Sequence, residues 1–268
     1  LRKIDEINNL GAVRIRIRSL LASMNKRLNK NIKSSGNYEQ EKIPFTKEMK
    51  KGYTILMPQM APIHFELLES AVKSEGYNIE LLRECTPHTV ETGLKYVNND
   101  ACYPSILTTG QFIEALESGK YDVNKTAIIM SQTGGGCRAT NYIGFIRKAL
   151  KDAGYENVPI ISFNVKGMEK TTGFKLTPSL ILKMVKGIVY GDLLQKMLLK
   201  NRAYEVKKGE AQKVYDKWLP KAQEIITNGD MKEFKAGIYQ MVDDFENIQI
   251  DRKVQKPKVG VVGEILIK

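Results

Sequence analysis

Between Tyr53 and Asn164 strand and helix signals alternate along the chain, and that order restricts the fold more than any single residue does. "YTILM" reads as a strand, "PIHFELLESAVKSEG" as a helix closed by Gly76, and "NIELLR" as a second strand. A helical segment from about Thr89 to Tyr96, the turn "VNNDACYP" and a helix from Pro104 to Ser118 lead to the strand "TAIIM". The helix "TNYIGFIRKALKDAG" then precedes a last strand, "VPIISF". Strands separated by helices pair in parallel through right-handed crossovers, and such sheets collect ligands outside the carboxyl ends of their strands.

The expected fold class is therefore α/β, a parallel Rossmann-like sheet flanked by helices. The sheet and its helices occupy residues 52–165, the region that also carries the cysteines. Ahead of it, residues 1–51 read as a helix and a linker. "GAVRIRIRSLLASMNKRL" puts Val13, Ile17, Leu20, Leu21 and Met24 on one helical face, and the Arg-Ile alternation from Arg14 to Arg18 is too short to make a strand instead. The polar stretch from Asn29 to Lys51, with Ser34, Ser35, Gly36 and Pro44, has linker composition. Residues 166–255 hold long amphipathic patterns, whose leucines, methionines and aromatics suit core or interdomain packing. At 256–268, "KPKVGVVGEILIK" reads as the first strand of a second α/β domain, cut short, so the chain is expected to be a fragment of a longer multidomain protein. That strand is expected to be poorly stabilised or to borrow pairing from elsewhere.

Charge and composition bear on partners and location. The net charge is +12, but the lysines and arginines are spread over "RIRIR", "KRLNKNIK", "KEMKK" and the helices from Lys183 to Lys221, without interleaved aromatics. Nucleic acid is thus not an expected partner. Solvated helix faces account for the charge, with an acidic protein or a phosphorylated ligand as the functional alternative. No apolar run approaches the roughly 18 residues of a membrane span and no signal-peptide order opens the sequence, so no membrane partner and a cytoplasmic location are expected. Three cysteines are too few and too unevenly spaced for a disulfide framework.

Those cysteines raise the question of function. In "SQTGGGCRATNY" three glycines and Cys137 stand where a strand hands over to a helix, and the residues admit three explanations. Gly134, Gly135 and Gly136 can turn backbone amides toward an anion, with Arg138 adding charge, although neither a Walker sequence nor G-x-G-x-x-G is present. A reactive thiol at a helix start is the second, but neither histidine is obviously placed as a base. The third takes all three cysteines together: Cys85 ends one strand, Cys137 follows another, and Cys102 lies in the connection between them. Three thiolates with glycine amides nearby suit an iron–sulfur cluster with one iron open to substrate. Three separate cysteines remain the plain alternative, because the spacing matches no ferredoxin pattern.

"NNDACYPSILTTGQFIEALESGKYD", "IIMSQTGGGCRATNYIGFIRKALKDAGY" and "VPIISFN" resemble the carboxyl-terminal part of the large activase-related proteins of the 2-hydroxyacyl-CoA dehydratase group, which includes the 2-hydroxyglutaryl-CoA dehydratases and benzoyl-CoA reductases. "KIDEINNLGAVRIRIRSLLA" is similar to the segment preceding that part. In the group, an ATPase activator, itself an iron–sulfur protein, passes a low-potential electron to subunits whose cysteine-bound [4Fe-4S] or related cluster does the chemistry. The resemblance implies a cluster-bearing lobe for anaerobic electron transfer, a cluster that aerobic handling removes, an ATP-dependent activase domain or protein as partner, and an acyl-CoA or other small molecule as substrate. It implies that Cys102 and Cys137 are cluster ligands, with the third thiolate coming from a second domain or from Cys85. The activator's nucleotide-binding domain is not recognisable, so ATP hydrolysis is not expected of this chain, and an isolated fragment is expected to be inactive. A non-catalytic scaffold of the same fold, or a phosphate- or CoA-binding module, is the alternative.

Overall fold

The computed structural model describes residues 10–29, 42–98, 101–134, 137–163, 172–251, 253, 256–257 and 259–260. Its centre is a four-stranded, fully parallel sheet of strand order β2-β1-β3-β4, from β1 (Thr54–Pro58), β2 (Ile79–Leu82), β3 (Thr126–Ser131) and β4 (Ile160–Phe163). The register pairs Ile55 with Ile79, Thr54 with Thr126, and Ile128 with Ile160. The α/β expectation therefore holds.

Helices α2 (Pro62–Lys73), α3 (Pro87–Tyr96), α4 (Tyr103–Glu117) and α5 (Tyr142–Asp152) make the crossovers. The first three carry proline at the first or second position, where its missing N–H costs nothing and its φ is already helical. The turn after α2 passes through Gly76 at φ +79°, a left-handed conformation that glycine adopts freely. Side chains alternate across the strands. Ile55, Met57, Ala127, Ile129 and Ile161 join the core on the α2 side, whereas Leu56, Ile128, Met130 and Ile160 join the core beneath α4 and α5. Both faces of the sheet are thus covered, as a parallel sheet requires.

The long helices α6 (Pro178–Arg202), α7 (Glu210–Asn228) and α8 (Met231–Glu246) pack with α2 and share the larger core. Trp218 and Tyr190 are fully buried there. The Tyr190 hydroxyl donates to Phe234 O at 3.0 Å, and burial pushes its pKa up to about 12. The stretch read as a linker reaches this core at its end: Phe45 is fully buried and its carbonyl accepts from Gly173 N–H at 2.9 Å. The apolar side chains of Ile17, Leu20, Leu21 and Met24 on α1 (Leu10–Asn29) are exposed. The first nine residues lie outside the described set, as do residues 258 and 261–268 of the expected terminal strand, whose described residues 256, 257, 259 and 260 are not in strand. Among the described residues no helix is long and apolar enough to cross a membrane.

At the outer side of edge strand β2, the Leu81 N–H donates to Glu69 Oε1 at 3.1 Å and the Leu81 carbonyl accepts from Arg83 at 3.3 Å. Glu69 is buried and bonded to both Lys73 and Arg83, and Arg83 also grips Glu66 through two bonds of 2.8 Å.

Four carboxylates at or beside the helical layer are held below their usual pKa: Glu75 by Lys183 and then Ser179, Glu205 by the amides of Gly209 and Ala211, Asp230 by the amides of Glu233 and Lys232, and Asp244 by Lys217 and then Trp218. A depressed folded-state pKa adds stability above the unfolded value and loses it as pH falls through the folded one. The urea midpoint should therefore stay level from about pH 7 to about pH 5 and fall below about pH 4, near the unfolded carboxylate range. A midpoint unchanged down to about pH 3 would contradict these assignments.

Candidate functional site

In this strand order the chain moves from β1 to β2 on one side, then crosses back to β3 on the other. The carboxyl ends of β1 and β3 flank the switch point, where open α/β sheets leave a crevice. Helices α4 and α5 both begin at this edge and pack against each other on one face of the sheet.

Cys102 is the N-cap of α4, with φ −67° and ψ 144°. Its carbonyl accepts from the Ser105 amide at 3.0 Å and the Ser105 hydroxyl at 2.7 Å, which fixes the backbone at the helix start. Its sulfur lies 2.9 Å from the hydroxyl of Tyr142, the buried first residue of α5.

Cys137 occupies the equivalent place one crossover later, as N-cap of a short 3-10 helix, Arg138–Asn141, that runs into α5. Gln132 ties the preceding loop down. Its amide donates to Phe163 O at 2.9 Å, its Nε2 to Thr140 O at 2.9 Å, and its Oε1 accepts from the Ser162 hydroxyl at 2.9 Å. Gly134 has φ +68°, so a side chain there would be strained. Gly135 and Gly136 lie outside the described residues. Arg138 and Cys137 are both exposed.

Cys85 is placed differently, between β2 and α3. Gln111 of α4 holds this connection by donating to Leu82 O at 3.1 Å and Glu84 O at 3.0 Å. The residue as a whole is exposed, yet partial desolvation of its sulfur, followed by the Glu114 charge, pushes its thiol pKa up. Helices α3 and α4 meet at almost no separation: a Cβ on Gly110 would lie 1.9 Å from Thr89 O, and one on Gly93 would lie 2.1 Å from Ile106 O. That contact sets where α4, and hence Cys102, begins.

For an iron–sulfur cluster the fit is partial. Cys102 and Cys137 offer thiols at helix starts on one edge and one face of the sheet, and the ends of helices there favour anionic groups. Among the described residues, no three His, Cys, Asp or Glu side chains form a group able to hold a metal ion.

Several residues of this edge carry no sequence signal. Tyr142 meets Cys102 across 40 positions, and Gln132 and Gln111 look like ordinary polar residues. On the opposite face, His64 Nε2 pairs with Asp192 Oδ1 at 2.9 Å. The ring fits because Gly191 has no Cβ, which would sit 2.4 Å from it. Comparison with models of protein families, with curated proteins and with solved structures finds no match.

Proposed function

We propose that the chain is a lobe that holds an iron–sulfur cluster and receives low-potential electrons from an ATP-driven partner, as its resemblance to the 2-hydroxyacyl-CoA dehydratase group implies. One juxtaposition supports this most: two cysteines cap successive helices on one sheet edge, and the Tyr142 hydroxyl lies 2.9 Å from the Cys102 sulfur. When bound, such a cluster supplies one-electron chemistry at a potential set by ligand, hydrogen bonding and exposure. Cys102 and Cys137 serve as thiolate ligands. Tyr142 donates to the Cys102 thiolate, spreading its charge and fixing its direction. Gln132 keeps the Cys137 loop in place by joining it to β4 and to the 3-10 helix. Cys85 is left out of the proposed ligand set because it follows the outer strand β2, which β1 separates from the β3 end where Cys137 stands. A partner lobe supplies what the two cysteines do not.

Anaerobic reconstitution with iron and sulfide tests this. Cys102→Ala and Cys137→Ala should each retain less than about a tenth of the iron of the unaltered chain and lose its charge-transfer absorbance, while Cys85→Ala keeps both. If the first two variants load as well as the unaltered chain, the cluster reading fails and a scaffold of the same fold is the better description.

A further inference from the structure

The first half of α6 is apolar on two opposite sides. Leu180, Gly187 and Tyr190 are buried in the core, whereas Ile181, Leu182, Val185, Ile188 and Val189 are exposed and recur at the spacing of one helical stripe. Both lysines of this stretch are drawn away from the stripe. Lys183 pairs with Glu75 at 2.8 Å, and Lys186 is buried and donates to Gly229 O at 2.8 Å. An uncharged aliphatic stripe of this kind marks an interaction surface.

Helix α1 carries a matching cover. Ile17, Leu20, Leu21 and Met24 form its own exposed stripe, also at helical spacing. A lone helix of this length is marginal in water and draws its stability from packing its apolar face. The chain that follows α1 joins the body beside the start of α6: the Phe45 carbonyl accepts from Gly173 N–H at 2.9 Å, and Lys47 and Lys50 share a cavity wall with Thr177, the N-cap of α6. From Asn29 to Phe45 the chain can span up to roughly 50 Å, while Val189 lies only about 17 Å along α6 from Pro178. Covalent linkage over such a span gives an effective concentration on the order of a millimolar, which favours the chain's own α6 over that of another copy. Charge disfavours pairing of α1 with α1 of a second copy, because Arg14, Arg16, Arg18 and Lys26 would meet their like with no acidic residue in the helix to balance them.

We propose that α1 docks lengthwise on the outer stripe of its own α6, burying the two apolar faces against each other and leaving its arginines at the rim. The α6 helix packs on the α2 side, away from α4 and α5, so the proposal does not rest on the cluster reading.

Hydrogen exchange on the full chain tests this. The amides from Ile15 to Leu28 should be protected to a degree that does not change with protein concentration. Val185→Lys combined with Ile188→Lys, two exposed positions, should lower that protection about tenfold or more while the amides of β1 and β3 keep theirs. Should this double variant also lose protection in β1 and β3, Leu21→Lys takes its place: the methyl signals of Ile181 and Ile188 should then shift, and those of Ile129 and Ile161 should not. The proposal is overturned if the α1 amides are unprotected, if the double variant leaves their protection unchanged, or if Leu21→Lys leaves the Ile181 and Ile188 methyl signals in place. Protection that rises with protein concentration overturns it as well, and assigns the stripe to α1 of a second copy.

Discussion

Replacing Gly110 with alanine should cost the chain about 3 kcal/mol or more, the upper range for forcing atoms into a packed interior. Ordinarily the same change in a helix gains about 0.5–1 kcal/mol, because alanine is the better helix former. Here the new Cβ would lie 1.9 Å from Thr89 O, a backbone atom of α3 that cannot swing aside as a side chain would. The two helices must separate, and Thr89, Thr92 and Gln111, all buried, lie along the seam. Gly144→Ala in α5 is the control: it is exposed, nothing lies within 4 Å of its added Cβ, and it should stabilise by about 0.5–1 kcal/mol. Denaturation midpoints of the two variants shifting in the same direction would contradict the packing described for α3 and α4.

Trp218→Ala should be comparably damaging for a different reason. The indole is fully buried between α7 and its neighbours, and its Nε1 donates to Asp244 Oδ2 at 2.7 Å. Removing a buried aromatic of this size costs about 3–5 kcal/mol, from lost burial and from the cavity left behind. The two variants part company at the cysteine edge. Trp218 belongs to the core shared by α2 and α6–α8, whereas Gly110 sets the seat of α4 and therefore of Cys102. Per folded molecule, Trp218→Ala should take up iron like the unaltered chain and Gly110→Ala should take up less. Equal uptake by both would show that the α3–α4 contact does not govern the site.

Much of this architecture was legible before any coordinates. Proline at the start of α2, α3, α4 and α6 and glycine in the turn after α2 mark element ends because they act locally, through one φ angle or one missing N–H. The parallel sheet followed from the alternation of strands with helices. The resemblance and the residue pattern both drew attention to Cys102 and Cys137, and these two do sit at equivalent helix starts. What stayed hidden depends on residues far apart in the chain. Gly93 and Gly110 look like weak points of their helices until α3 and α4 are laid together. Tyr142 shows its relation to Cys102 only once α5 is set against α4. That Cys85 follows an outer strand and lies near the Glu114 carboxylate likewise shows only once the strand order is known.

The bonds along β2 bear on how molecules of this chain behave in a crowd. An edge strand normally presents free amides and carbonyls that recruit a strand from a neighbour, the first step of sheet-to-sheet aggregation. At Leu81 both groups are already taken, the amide by Glu69 and the carbonyl by Arg83. A strand arriving from another copy would have to displace a buried carboxylate from Lys73 and Arg83 before it could pair there. That flank of the sheet is thus guarded against accidental growth by charged side chains held in place by α2, and the protection lasts only as long as α2 stays docked.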